Sequence, residues 1–499
     1  MSAPQITRRA LLASGAAVLA ANVLPAPAAG AHGRGRYAWR NVEIVGGGFV
    51  PGIIVNQGEP GLVYARTDIG GAYRFSQREQ RWIPLLDWVG WDQWGFTGVV
   101  SLATDAVSPN RVYAAVGTYT NDWDPSQGAI LRSANRGRTW QVSVLPFKQG
   151  GNMPGRGMGE RLAIDPNRNS ILYLGARTAS TPPPTSPIRA RGLEETAVLD
   201  LISPPTGAHL LSAVGDVGGF VHHDFANPGL MHANPTFGST ASLDYAGLSP
   251  NVIVRSGNPS GGSIHFGIST DGGDTWTPAA TEPSGIGAGG TVAVDADGSR
   301  VVWSPAGAGV HWSADAGATW TPSAGVPAGA TVESDRVSAS KFYAYAGGVF
   351  YISSDGGATF EASTVSGLPA EGNVRFKAVP GHAGHVWLAG GAEGGTYGLW
   401  RSTDAGASFT RRSNVEKADA IGFGQAAPGE AYPAIYITAQ VRGVRGFFRS
   451  DDAGRGWERI NDDEHQYAWT GQTITGDPRV FGRVYIATNG RGIIVGDRS

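Results

Sequence analysis

Two short stretches of the chain place an acid directly ahead of a pair of glycines. "VYARTDIGGAYRF" (63–75) carries Asp68 before Ile69, Gly70 and Gly71, and "LLSAVGDVGGFVHHD" (210–224) carries Asp216 before Val217, Gly218 and Gly219. Two carboxylates facing each other across a sugar are what glycoside hydrolysis requires: one gives a proton to the departing oxygen, the other acts as base or nucleophile. A diglycine after each acid would let backbone and substrate come close. An Asp-Gly pair is also an ordinary turn, so spacing alone leaves both readings open.

Other chemistries find little support. No Gly-x-Ser-x-Gly elbow and no Gly-x-x-x-x-Gly-Lys-Ser/Thr phosphate loop occurs in the 499 residues. "HHD" (222–224) could offer metal ligands, but no other His-rich segment lies nearby. "DADGS" (295–299) is followed by too few acidic oxygens for a calcium loop. With no Cys, the chain has no disulfides, thiol nucleophile or thiolate metal site. Charged residues make up 16% and the formal net charge is -2, which gives no electrostatic footprint for nucleic acid. Neither a metal site nor a nucleic-acid partner is therefore expected from these residues.

The elements that must position the acids are strands. "GLVYAR", "RVYAAVG", "ILYLGA", "KFYAYAG", "HVWLAGG", "AIYITAQ" and "RVYIATNG" are short, β-branched and aromatic, and end in turn residues. The 75 glycines suit the many tight turns of such a chain. A template, Ser-x-Asp-x-Gly-x-Thr-aromatic, recurs as "SANRGRTW" (133–140), "STDGGDTW" (269–276), "SADAGATW" (313–320), "SSDGGATF" (353–360), "STDAGASF" (402–409) and "SDDAGRGW" (450–457). From Trp276 on, the aromatic returns at 320, 360, 409 and 457, a period that fits one four-stranded propeller blade of about 40–50 residues. The template resembles the Asp-box (BNR-like) turn of sialidases and other propellers. Its acids are expected to cap turns on the outer rim, with Trp140, Trp276, Trp320 and Trp457 packing between blades. A sialidase itself would need three arginines and a nucleophilic Tyr, and the Arg-Ile-Pro signature near its first strand is missing.

Longer segments carry a more specific likeness. Besides the two acidic corners, "GTYTNDWD" (117–124), "GNMPGRGMGERLAIDPN" (151–167), "GLEETAVLDLISPPTGAHL" (192–210), "NPTFGSTASLDYA" (234–246) and "GQTITGDPRVFGRVYIATNGRGI" (471–493) together resemble glycoside hydrolase family 74, the xyloglucanases. The resemblance covers nearly the whole chain after its first residues. It implies two seven-bladed propellers with the substrate cleft between them, and inverting hydrolysis of a β-1,4-glucan backbone without metal or cofactor. Within it Asp68 corresponds to the general base and Asp216 to the general acid. Inversion implies carboxyl groups about 6.5–9.5 Å apart with a water between them. Proton donation further implies an Asp216 that is partly desolvated. Trp91, Trp94, Tyr119 and Trp123 lie in turn-rich segments and are candidates to stack against sugars, or else to fill blade cores.

The chain departs from that pattern in one place. After "ILYLGAR" the family continues with further blades, whereas here a Pro-rich stretch, "RTASTPPPTSPIRARG" (177–192), intervenes. The expected organisation is a Tat-type signal peptide over 1–31, marked by Arg8 and Arg9 before an apolar run, then a partial N-terminal propeller over 37–177. A junction over 178–192 and a C-terminal propeller of about seven blades over 193–499 complete it. The expected class is all-β. Such a protein would be secreted, monomeric and free of the membrane once mature, with xyloglucan as its partner. Two functions stand side by side: a xyloglucan hydrolase impaired by the internal deletion, and a non-catalytic propeller remnant that binds β-glucan.

Overall fold

The computed structural model of the chain describes residues 37–46, 48–175 and 192–499. The expected signal segment 1–31 and all of the expected junction 178–192 except Gly192 lie outside the described residues. Apart from a short 3-10 helix at Trp91–Thr97, the regular structure is β, almost all of it in antiparallel four-stranded arrays. Among the described residues no helix is long and apolar enough to cross a membrane.

The apolar runs read from the sequence become the second strands of their sheets. Val112–Val116, Phe342–Ala346, Val386–Gly391, Ala434–Val441 and Val484–Thr488 are buried along almost their whole length. A second strand is flanked by its own sheet and covered on both faces by the neighbouring sheets. It therefore reads as a continuous apolar run, not as an alternating one.

After residue 192 the sheets form a ring. Its innermost strands are Val198–Ile202, Phe237–Tyr245, Ala288–Val294, Thr331–Ser334, Asn373–Ala378, Lys417–Gly424 and Thr470–Gly476. Each touches the next, and the last returns to touch the first. The core lies between successive sheets. Phe266 of one sheet meets Trp303 and Trp320 of the next, with ring centroids 5.6 and 5.1 Å away.

The recurrent turns join third to fourth strands at the outer edge of the sheets. At Asp315, Oδ1 accepts the Thr319 N–H (2.9 Å) and Oδ2 the Thr319 hydroxyl (2.6 Å), while Ser313 Oγ donates to Oδ1 (2.8 Å). The same bonds recur at Asp271, Asp355 and Asp404. These carboxylates are occupied by their own turns.

One expected boundary is corrected. Tyr37–Asn41, assigned from the sequence to the N-terminal part, pairs antiparallel with Ile493–Arg498 and is the outer strand of the ring's closing sheet. Its aromatic face explains this. Trp39 stacks on Tyr37 at 5.5 Å and lies 5.9 Å from Phe447 and 6.1 Å from Tyr467, both in the ring.

The N-terminal sheets make an open fan. Gly52–Val55, Val63–Arg66, Ala72–Ser76 and Arg81–Pro84 form the first; Val99–Thr104, Val112–Val116, Ala129–Ser133 and Gln141–Val144 the second; Leu162–Ile164 and Leu172–Leu174 the third. Three sheets are too few to close on themselves. Ile53 and Val55 stay exposed on one flank and Tyr173 on the other.

The fan is held by the ring. Asp87 takes both Nε (2.6 Å) and Nη2 (3.0 Å) of Arg491, and its carbonyl accepts the N–H groups of Gln466 and Tyr467. Ala468 N–H donates to the Val89 carbonyl at 2.7 Å.

Candidate functional site

Both acidic corners occupy the same place in their sheets. Asp68 lies in the turn from Val63–Arg66 to Ala72–Ser76, the second and third strands of the fan's first sheet. Asp216 lies in the turn from Leu210–Val214 to Gly218–His222, the second and third strands of the ring's first sheet. The glycines are required sterically. A Cβ on Gly70 would sit 2.1 Å from the Gly490 carbonyl oxygen and 2.5 Å from Glu195 Cγ, and one on Gly219 would sit 2.0 Å from the Ser212 carbonyl oxygen. The first contact is where fan meets ring, so the Asp68 corner is pressed against the "NGRG" turn (489–492). Thr67 fixes this corner, its hydroxyl accepting from Gly70 N–H (2.8 Å) and donating to the Gly71 carbonyl (3.0 Å).

The two acids differ in environment. Asp68 is only 5% exposed, and Arg156 Nε lies 3.1 Å from its Oδ2. Burial raises its carboxyl above the usual Asp range, against the lowering effects of a hydrogen bond with Glu195 and the charge of Arg156. Asp216 instead stands out from the ring on a left-handed backbone (φ 67°), its N–H donating to Ser239 Oγ at 3.1 Å. It is exposed, in contrast to the partial desolvation expected from the sequence. The turn projects beyond the sheets that would bury it.

Glu195 was not marked by sequence reasoning. It enters from the segment leading into the ring's first strand, is 1% exposed, and is hydrogen-bonded to Asp68. Burial, then the Asp68 charge and hydrogen bond, push its carboxyl well above the usual range, and the Asp216 charge adds to this. Both corner acids thus act on one buried carboxyl. Its neighbour Glu194 faces the other way, accepting the N–H groups of Ile44 (3.0 Å) and Val45 (3.2 Å), with burial raising its pKa to about 7.

Three of the four aromatic candidates gather beside the Asp68 corner. Trp94 and Trp123 are parallel within 8° at 6.4 Å, and Tyr119 lies 4.9 Å from Trp123. Trp469, which the sequence reading did not single out, joins them from the ring, 4.5 Å from Trp94. It follows two non-glycine residues in left-handed conformation, Tyr467 and Ala468. Trp123 is 61% exposed, so the cluster opens to solvent at that end, while Trp94 also packs against the buried core of the fan. Trp91 stands apart: a kink at Gln93 turns it away, and the Arg445 guanidinium covers its ring at 4.1 Å. Polar links run from cluster to acid, with Asn152 donating to the Tyr119 hydroxyl (2.9 Å) and Arg156 donating to Asn152 Oδ1 (2.9 Å).

Other candidates resolve differently. Within "HHD", His222 is buried against Ser212 Oγ (3.0 Å), His223 pairs with Asp274 (3.0 Å), and Asp224 caps the N–H groups of Ala226 and Asn227. Among the described residues no group of three or more His, Cys, Asp or Glu is arranged to hold a metal ion. A cavity of about 400 Å³ lies at the far mouth of the ring, lined by Ser203, Tyr245, Arg336 and Lys377 at or just beyond the C-terminal ends of innermost strands. Asp216 lies at the opposite ends of those strands. The cavity's cations are taken up by buried acids, Arg336 by Asp244 (2.7 Å) and Glu333 (3.1 Å), and Lys377 by Glu333. The acidic corners are the better candidate.

Fold and site together define a propeller protein with an acidic seam between a closed ring and a docked fan. It is similar to proteins of one family. A xyloglucanase of a Paenibacillus species is 37% identical over an alignment of 731 residues that takes in 92% of this chain and 71% of that protein. Xyloglucanase Xgh74A of Acetivibrio thermocellus is 35% identical over 727 residues, 92% of this chain and 86% of that one. Among solved structures, the GH74 xyloglucanase from Xanthomonas campestris superposes with a TM-score of 0.83 at 28% identity, covering 92% of this chain and all of that one. The Niastella koreensis GH74 enzyme gives 0.82 at 27%. No family model matches the chain. The chain belongs to the xyloglucanases of glycoside hydrolase family 74, and it is a glycoside hydrolase. An alignment of 731 positions against a chain of 499 residues means that the relatives carry stretches missing here.

Proposed function

We propose that the protein cleaves the β-1,4-glucan backbone of xyloglucan by inversion, with Asp68 as general base and Asp216 as general acid. A water held at Asp68 attacks the anomeric carbon and gives its proton to the Asp68 carboxylate. The glycosidic C–O bond breaks on the opposite face, and the departing oxygen takes the proton of Asp216. Arg156 holds one oxygen of Asp68. Trp94, Tyr119, Trp123 and Trp469 offer apolar faces for sugar rings to stack on. A glucan lying over the Asp216 corner would exclude the water that surrounds it in the free protein, supplying the desolvation a proton donor needs.

The observation that carries this reading is the shared neighbour: Asp68 and Asp216, from different sheets, both act on Glu195. The second reading, a β-glucan-binding remnant, draws its support from the exposed Asp216. Proton NMR of fresh xyloglucan digests tests the mechanism. Inversion gives the α-anomer first, a β-anomer appearing first would overturn it, and binding without any new reducing end would favour the remnant. The protein would act as a secreted monomer, exported through Arg8 and Arg9. Retention of an Arg8→Lys/Arg9→Lys variant inside the producing cell is the expected result, and unchanged export would refute it.

A further inference from the structure

Glu195 is the buried acid for which the two-carboxylate reaction has no use. Its surroundings are built around it. A Cβ on Gly48 would fall 1.2 Å from its Oε2, and one on Gly70 would fall 2.5 Å from its Cγ, so both neighbouring segments are glycine where this side chain passes. The Phe49 N–H donates to it, and its Oε2, though buried, has no donor among the described residues. Its hydrogen-bond partner is the Asp68 carboxyl. Two carboxylates offer only acceptors, so that bond exists only if one of the pair holds a proton.

The groups facing the pair decide which one. Glu195 faces Asp68, the charge of Asp216 and the Tyr73 phenol, and among the described residues no cation forms an ion pair with it. Asp68 has Arg156 at 3.1 Å and further N–H donors in its own corner, at Asp68 and Ile69. Arg491, whose charge reaches the neighbouring Tyr73 and Glu194, is committed to Asp87. The charge therefore belongs on Asp68 and the proton on Glu195.

Resting on the assignment of Asp68 as base, we infer that Glu195 is a positioning residue: a neutral carboxylic acid that donates a hydrogen bond to Asp68 and orients it. The bond holds Asp68 ionised in a buried corner and ties the fan's acid to the ring. Loss of the donor would make Asp68 harder to ionise, whereas an amide in its place would still donate.

The test combines a pH profile with a spectroscopic readout. In kcat/KM on xyloglucan, Glu195→Ala moves the acid limb to higher pH by about one unit, tenfold in rate on that limb. Glu195→Gln keeps the limb at the wild-type pH. A merely structural role lowers kcat in both variants without moving the limb. An ionised Glu195 makes Glu195→Gln move the limb to lower pH. Either result overturns the inference. The infrared difference spectrum of wild type minus Glu195→Gln at neutral pH needs no turnover: a protonated-carboxyl C=O band supports the inference, and a carboxylate band in its place overturns it. Asp68→Asn is the control for the underlying reading. If it cleaves as fast as wild type, the base assignment fails, and the infrared result still decides where the proton sits.

Discussion

At the scale of single residues, the two corner acids carry unequal burdens. Asp68 starts buried and charged, so its raised pKa puts the acid limb of kcat/KM above the ordinary Asp value of about 3.9. A limb at or below that value would argue against Asp68 as base. Replacing the exposed Trp123 by Ala removes a stacking face worth about 0.5–1.5 kcal/mol, and KM for xyloglucan should rise several-fold with kcat little changed. An unaltered KM would remove Trp123 from the substrate path. The two corners were legible in the sequence because a turn that touches another backbone needs its glycines beside it, while the roles given to their acids came from the family resemblance. Glu195, Arg156 and Trp469 were not. Each reaches the site across a long sequence separation, and neither "GLEET" nor "YAWTG" has a local pattern that signals what it meets.

At the scale of elements, the recurrent turns and the linking segment near Glu194 make separable predictions. Asp315 is bonded within its own turn at the outer edge of the ring. Asp315→Ala should cost on the order of 1 kcal/mol of stability and leave kcat/KM unchanged, as thermal unfolding and kinetics would register. A loss of activity at full stability would contradict its scaffold role. Glu194 is fully buried with a pKa of about 7. A carboxyl raised on folding adds stability below its unfolded pKa near 4.5 and loses it as pH climbs through 7. Glu194→Gln lacks this titration, so relative to wild type it should gain up to about 3 kcal/mol between pH 4 and 8. Parallel stability curves for the two proteins would refute the shift. The turns were readable because their Asp, Gly and aromatic recur at fixed offsets. The membership of Tyr37–Asn41 was not, since a strand's partner at the other end of the chain leaves no trace in its own alternation.

At the scale of the whole molecule, the question is how a shortened N-terminal half still presents Asp68. Three sheets cannot make a ring, and the Pro-rich stretch led to the expectation of a partial N-terminal propeller. The ring itself takes over part of the support. Arg491 and the 466–468 backbone grip Asp87 and Val89, and Trp469 packs on Trp94. Arg491→Met should loosen the fan while leaving the ring folded, with faster proteolysis confined to the N-terminal sheets. A displacement of the base by even about 1 Å costs on the order of 100-fold in rate. The central claim is that this docked pair of corners hydrolyses xyloglucan, and reducing-end release from the purified polysaccharide tests it most directly. Wild type should release reducing ends, and Asp68→Asn and Asp216→Asn should each lower the rate by about 100- to 10,000-fold. Equal release by all three proteins would contradict the account.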